Sequence, residues 1–396
     1  MDVTDLRIAL FSGNYNYTRD GANQALNRLA DYILRQGAKL RVYSPVVEAP
    51  DFEATGDLVD IPNVRMPVKG RGEYRLPLRL GNAVEEDLAR FAPNTMHLSS
   101  PDPAAHGALK WARKRDLPVL ASVHTRFETY PRYYGLTFLE PLVVAILRRF
   151  YRRCDAIYAP SESMAQLLRE QRMSFNVGIW SRGIDKTIFN PSRRDLGWRR
   201  EHGIADDEPV IGFIGRLVME KGLDVFSDAI DRLERQGCRH KVLVVGDGPA
   251  RDWFERRLPG AVFAGFQQGE DLGRAVASMD MLFNPSVTET FGNVTLEAMA
   301  CRLPVIAAHA TGSASLVTEG VSGRLIRPGA IGAFSDALAF YCRDAPARAK
   351  AGEAGRLASD RYGWDEVNQS LIDSYIRVVR ARSQGGRPLP RRSPVP

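Results

Sequence analysis

The sequence is poor in the residues that build metal centres and disulfide frameworks. Its four cysteines, Cys154, Cys238, Cys301 and Cys342, are scattered without pairing or metal-ligand spacing. That pattern suits a reducing compartment and argues against a disulfide-stapled module. The six histidines show no ligand spacing, and no Asp-x-Asp pair stands ready for a divalent cation. No apolar run is long enough to cross a bilayer. The best candidate, Leu136 to Leu147, is about a dozen residues against the roughly 18 needed, and Glu140-Pro141 breaks it. The opening residues, with Asp2 and Asp5, lack the basic-then-apolar order of a signal peptide. A cytoplasmic protein is expected.

What is present describes an ordinary globular chain. Its 396 residues, 26% charged and 44% hydrophobic, suffice for two cores. A net charge of +7 and a pI of about 9.3 favour anionic partners, whether nucleotide sugars, anionic lipid surfaces or nucleic acid. A basic nucleic-acid-binding protein is the rival from another class. It is the weaker reading, because no binding module is recognisable and the positive charge is spread over both halves.

Strand and helix patterns alternate throughout, which calls for parallel sheets covered by helices. Strands are expected at Arg7–Ser12, Lys39–Tyr43, Thr95–Ser99, Pro118–His124, Ala156–Ala159 and Val177–Trp180. A second set follows at Val210–Ile214, Lys241–Val245, Val262–Ala264, Met281–Asn284, Val305–Ala308 and Arg324–Ile326. The two sets divide near Ile188–Gly203, a polar and basic connection. The expected architecture is α/β, two doubly wound Rossmann-like domains with a cleft between them, over residues 1–190 and 200–364. Asp51 to Arg79, with three prolines and the cations Lys69, Arg71 and Arg75, reads as a long loop or short irregular strands. Residues 383–396 read as a disordered basic tail.

The most informative segment runs from Glu289 through Phe291, Gly292 and Asn293 to Glu297. It follows the buried strand Met281–Asn284, so Glu289 falls at the carboxyl end of a parallel strand, where open sheets bind ligands. Gly292 lets the next helix begin close to a ligand. Glu297 lies about a turn into an otherwise apolar helix, where an unpaired carboxylate costs several kcal/mol. It needs donors, and sugar or ribose hydroxyls are good ones. The bland alternative is one exposed and one salt-bridged carboxylate. A second loop, Gly215-Arg216-Leu217-Val218-Met219-Glu220-Lys221-Gly222, follows Val210–Ile214 and opens the helix Leu223 to Arg235. It sets Arg216 and Lys221 beside a helix N-terminus, an anion site by charge and by backbone N–H groups. It is not a Walker loop, since Gly222 and not Ser or Thr follows Lys221. Gly246-Asp247-Gly248-Pro249 lacks the third glycine of a dinucleotide fingerprint, which weakens a dehydrogenase reading.

With Ser181-Arg182-Gly183-Ile184-Asp185 and Val245-Gly246-Asp247-Gly248-Pro249, these motifs resemble the retaining GT-B glycosyltransferases of family 4. The resemblance runs from the first strand to the helix around Trp364. It implies transfer of a hexosyl unit from a UDP- or GDP-sugar to a hydroxyl acceptor. It implies that Glu297 binds the ribose hydroxyls and Glu289 the transferred sugar, and that Gly21 lets backbone approach the diphosphate. It also implies that His124, in His124-Thr125-Arg126-Phe127, touches the sugar, and that helix 365–382 completes the first domain. With no metal or other cofactor expected, Arg216 and Lys221 are left to stabilise the departing phosphate. Backbone N–H groups at Gly215 and around Phe291-Gly292-Asn293 complete the donor contacts. Two departures stand out: Asp20-Gly21 and Thr311-Gly312-Ser313 replace Gly-Gly pairs, and Asp20 reads more simply as a helix N-cap. The stretch around His124 and the following Tyr133-Tyr134-Gly135-Leu136 resemble enzymes that glycosylate lipids, including diacylglycerol glycosyltransferases and lipid mannosyltransferases. A lipid acceptor and reversible contact with an anionic membrane, through the helix Phe138–Arg153 and Arg148, Arg149, Arg152 and Arg153, are therefore expected. A soluble or polysaccharide-precursor acceptor is the alternative.

Overall fold

The computed structural model describes residues 1–18, 20–66, 74–129, 131 and 136–386. The readings placed on Lys69 and Arg71, on Tyr133-Tyr134-Gly135 and on the tail beyond Gly386 lie outside them. The chain divides into two compact units, Met1–Arg182 with Trp364–Pro396, and Gly183–Gly363. The division falls after Arg182, ahead of the Ile188–Gly203 connection, because Ile184 and Phe189 are buried in an apolar cluster of the second unit.

The first unit runs β1 (Arg7–Phe11), α1 (Gly21–Arg35), β2 (Lys39–Ser44), β3 (Asp57–Asp60), β4 (Asn63–Arg65), β5 (Arg75–Pro77), α2 (Asn82–Phe91), β6 (Thr95–Leu98), α3 (Pro103–Lys114), β7 (Val119–Ser122), α4 (Glu140–Tyr151), β8 (Ala156–Ala159), α5 (Glu162–Glu170) and β9 (Val177–Ile179). The second runs α6 (Leu196–Glu201), β10 (Val210–Ile214), α7 (Leu223–Arg235), β11 (Lys241–Val245), α8 (Arg251–Arg257), β12 (Val262–Gly265), α9 (Gly269–Ala277), β13 (Met281–Asn284), α10 (Asn293–Ala300), β14 (Val305–Ala308), β15 (Gly323–Ile326), α11 (Ile331–Arg343) and α12 (Ala345–Ser359). The chain then returns to the first unit in α13 (Trp364–Ser383).

Both main sheets are parallel and doubly wound. The first has the order β3-β2-β1-β6-β7-β8-β9 and the second β12-β11-β10-β13-β14-β15. In each, the winding reverses beside the first strand, between β1 and β6 and between β10 and β13, and the carboxyl ends of strands at such a reversal are where open sheets bind ligands. Part of the irregular stretch Asp51 to Arg79 joins the first sheet, since β3 pairs in parallel with β2 from Arg41–Asp57 to Ser44–Asp60.

Strand alternation sorts the side chains onto two faces. Met96 and Leu98 of β6, with Val119 and Ala121 of β7, enter one apolar cluster. Leu120 of β7 enters the other, with Leu26 and Leu29 of α1 and Leu371, Ile372 and Tyr375 of α13. His97 and Ser122 share this second face. α4 begins with Pro141 in its first turn, where the missing N–H has no partner to lose. It buries only Leu147, Phe150 and Tyr151. Phe138, just before α4, and Leu142 and Ile146 within it are 75%, 58% and 49% exposed, so this apolar face is largely open to solvent.

Candidate active site

In the second unit the two loops at the winding reversal come together. After β10, Gly215 takes φ +136° and donates its N–H to the Val245 carbonyl at 3.0 Å. Leu217 is tied to the loop after β11 by Leu217 N–H to the Asp247 carbonyl at 2.9 Å and Ala250 N–H to the Leu217 carbonyl at 3.0 Å. A Cβ on Gly248 would stand 2.5 Å from the Leu217 carbonyl oxygen, so the Gly246–Pro249 motif acts as a close-packed backbone clamp under this loop. A short 3₁₀ turn, Met219–Lys221, ends at Gly222 in the left-handed region, φ +75°, from which α7 starts without a side-chain cap.

That turn carries Lys221 to Glu289, with Nζ 3.0 Å from Oε1. The Glu289 side chain is 11% exposed. Its Oε2 accepts from Asn284 Nδ2 at 3.4 Å, and its backbone carbonyl accepts from Thr311 Oγ1 at 2.7 Å. Lys221 and Glu289, expected to act on different parts of a ligand, are thus one ion pair here. The departure at Thr311-Gly312-Ser313 has a local reason. Thr311 supplies a hydrogen bond that glycine lacks, while a Cβ on Gly312 would meet the Phe291 carbonyl at 2.9 Å. Arg216 stands exposed at the edge of its loop.

Gly292, at φ +94°, is the uncapped N-terminus of α10, with Phe291 buried against Tyr362 at 5.8 Å between ring centroids and Asn293 half-buried. One turn along, the half-buried Glu297 carboxylate accepts no hydrogen bond from any described residue. Burial, and then the nearby charge of Glu289, push it up to about 7. The salt-bridged alternative for Glu297 is therefore not what forms. A carboxylate left without donors, beside an uncapped helix end, suits a ligand that brings hydroxyls.

In the first unit, Asp20 is the N-cap of α1, accepting from the amides of Ala22 and Asn23 at 2.9 Å each, and Gly21 is the first helical residue. His124 follows β7 with both ring nitrogens engaged, Nδ1 by Arg182 at 2.7 Å and Nε2 by Ser122 at 2.7 Å. Burial first, then Arg182 and His97, hold it well below the ordinary histidine range. The ring is neutral. Sequence reasoning missed Asn284, Thr311, Ser122, His97 and Tyr375, and gave Arg182 no role. For Asn284, Ser122 and His97 the available signal was a polar residue on an inward position of an apolar strand. Among the described residues, no three His, Cys, Asp or Glu side chains converge as a metal set.

Two family profiles match the chain, "Glycosyltransferase Family 4" over residues 19–187 and "Glycosyl transferases group 1" over residues 208–344. A GDP-mannose-dependent alpha-mannosyltransferase of Mycolicibacterium smegmatis is 30% identical over 391 residues, 96% of this chain and 99% of that protein. A sulfoquinovosyl transferase of Arabidopsis thaliana is 32% identical over 73% of this chain, and the match spans 58% of that longer protein. Among solved structures, sucrose-phosphate synthase from Thermosynechococcus elongatus superposes with a TM-score of 0.76 at 17% identity, covering 94% of this chain and 99% of that one. Two doubly wound sheets, family profiles over both halves and near-complete coverage of a mannosyltransferase at 30% identity agree: the chain belongs to the GT-B glycosyltransferases of family 4.

Proposed function

We propose that the protein is a retaining hexosyltransferase that takes its sugar from a UDP- or GDP-sugar without a metal ion and passes it to a lipid hydroxyl. The observation that carries the donor half is Glu297, a carboxylate with no donor of its own beside the Lys221–Glu289 pair. Ribose hydroxyls supply what Glu297 lacks. Lys221 and Arg216 face the charge that gathers on the departing phosphate, and Glu289 orients the sugar. The bond from the anomeric carbon to the β-phosphate oxygen breaks, and the acceptor oxygen bonds to the same face of that carbon. The acceptor's proton passes to the leaving phosphate, so no enzyme nucleophile is required. Charge stabilisation of this kind is commonly the largest contribution to such a reaction.

Relatives named as GDP-mannose-dependent put GDP-mannose first among donors to try. The lipid half rests on α4 and its flanks, where Phe138, Leu142 and Ile146 are exposed and so are Arg149 and Arg153. A soluble acceptor is the second reading, favoured by a D-inositol 3-phosphate glycosyltransferase of Mycolicibacterium paratuberculosis, 31% identical over 91% of this chain and 86% of that protein. The test is a panel of UDP- and GDP-sugars, read by thermal shift and donor hydrolysis, then by transfer to lipid and to inositol phosphate acceptors. Stabilisation by one nucleotide class with slow hydrolysis of one donor is expected. No response to any donor would overturn the reading.

A further inference from the structure

The sulfur atoms of the chain are unevenly protected. Of its nine methionines, Met96, Met164, Met173, Met279, Met281 and Met299 are at most 1% exposed, and Met66 is half-buried. Cys154, Cys238 and Cys301 are buried and Cys342 is half-buried. Burial pushes the thiols of Cys154, Cys301 and Cys342 up, which leaves little thiolate to react. Met219 stands apart at 46% exposed, ahead of the terminal Met1 at 37%. The most accessible sulfur therefore lies in the loop that carries Arg216 and Lys221.

Met219 opens the 3₁₀ turn Met219–Lys221, and its carbonyl accepts from Gly222 N–H at 2.9 Å. The rest of that turn is laced to the loop after β13, all within the second unit. The Glu220 carbonyl accepts from Thr288 Oγ1 at 3.4 Å, and Lys221 Nζ reaches Glu289 Oε1 at 3.0 Å. A Cβ on Gly222 would stand 3.2 Å from the Pro285 carbonyl oxygen, so the two backbones pack closely there. In the facing loop Val287, next to Thr288, is 43% exposed. One end of this seam is thus apolar and open to solvent, and the other is the ion pair.

We propose that Met219 is the protein's site of oxidation by peroxide, and that its sulfoxide loosens the seam and weakens the grip of Lys221 on the donor phosphate. The thioether sulfur gives two electrons to hydrogen peroxide: the O–O bond breaks, one oxygen bonds to sulfur and the other leaves as water. The product replaces a flexible apolar side chain with a polar one that carries a strong acceptor oxygen. That oxygen competes for the cations of its own loop, Lys221 foremost. A methionine sulfoxide reductase supplied with a dithiol returns the thioether and releases the oxygen as water, so the change is reversible. The effect on the donor rests on the glycosyl-transfer reading above; the site of oxidation does not.

The full chain is treated with graded hydrogen peroxide and digested, and mass spectrometry reads which methionines gain one oxygen. Met219 should be modified with or before Met1 and well ahead of the six buried methionines. Oxygen taken up by those six while Met219 stays intact would overturn the proposal. Calorimetry with UDP and GDP then follows the better-binding nucleotide. The oxidised wild type should bind it about fivefold or more weakly than the untreated chain, and methionine sulfoxide reductase with dithiothreitol should restore the affinity. Met219→Leu keeps an apolar side chain without the sulfur, so its affinities before and after peroxide should agree. Met219→Gln, whose amide oxygen stands in for the sulfoxide, should show the loss without peroxide. Equal losses on oxidation in wild type and Met219→Leu, or full affinity with Met219 oxidised, would sink the functional role. An untreated chain that binds neither nucleotide would strike the donor reading and that role together, while the oxidation map still decides the site.

Discussion

At the scale of single residues, Glu297 turns protonation into a readout of the ligand. Its carboxyl is raised from 4.5 to about 7 by burial and then by Glu289, so near neutrality it is partly protonated. Ribose hydroxyls donate to the ionised form, so nucleotide affinity should rise with pH through about 7. Isothermal titration at pH 6 and 8 checks this, with Glu297→Gln expected to flatten the dependence and to bind nucleotide more weakly than Glu289→Gln. The same shift acts on the unliganded fold with the opposite sense. Between the unfolded value of 4.5 and about 7 the native state holds the extra proton, so stability falls as pH rises across that window. Urea melts at pH 5 and 8 should show the wild type losing more stability than Glu297→Gln over that step. The cations make a separate prediction. Arg216→Ala and Lys221→Ala should each lower turnover by about 10²-fold or more with little change in melting temperature. Near-normal rates in either, or wild-type activity abolished by EDTA and restored by a divalent ion, would contradict the role assigned to them.

Among the elements, the loops after β10 and β13 matter more than the strands that hold them. Gly292 takes φ +94°, and a Cβ there would lie 3.2 Å from Glu289 Oε2, so Gly292→Ala strains the backbone and pushes on that carboxylate together. A loss of about 1 kcal/mol in a denaturant melt is expected, with a larger fall in kcat than in donor affinity. An unaltered kcat would mean that Glu289 does not need this placement. The strands at Val210–Ile214, Lys241–Val245, Met281–Asn284 and Val305–Ala308 were legible to the residue, because buried apolar runs bounded by glycine and proline are local signals. The same signals place Arg216, Lys221 and Glu289 in the loops after two of these strands and Glu297 in the helix that follows. Their pairing was not: Lys221 and Glu289 are 68 positions apart, and only the order of strands across the reversal brings them together. His97 hid differently, as a buried polar residue of a four-residue strand whose partners Ser122 and Tyr375 are far away in sequence.

For the molecule as a whole, the net charge of +7 and the open face of α4 point to a surface of opposite sign. Four arginines were expected to share that contact. Arg148 and Arg152 instead donate to the carbonyls of Gln171 and Arg172 at 3.0 Å each, pinning the end of α4 to the turn after α5. Arg152 is exposed all the same, as are Arg149 and Arg153. Three such groups contribute about 3 kcal/mol near an anionic bilayer, so Phe138, Leu142 and Ile146 must supply the rest by insertion. The full chain should co-sediment with vesicles rich in anionic lipid at low salt and be released as salt rises. Arg149→Gln with Arg153→Gln, or Leu142→Ser with Ile146→Ser, should abolish this. A wild-type chain that stays in the supernatant would favour the soluble acceptor. The return of α13 has a consequence for how the protein is made. His97 and Tyr375 are 278 positions apart, and the face carrying Leu120, Tyr158 and Trp180 is covered by Leu371, Ile372 and Val378. During translation the first unit therefore leaves the ribosome with one side of its sheet covered by α1 alone and stays so while the whole second unit is synthesised. Nascent chains stalled before Trp364 are then clients for a chaperone, since the unit can close only once α13 has emerged.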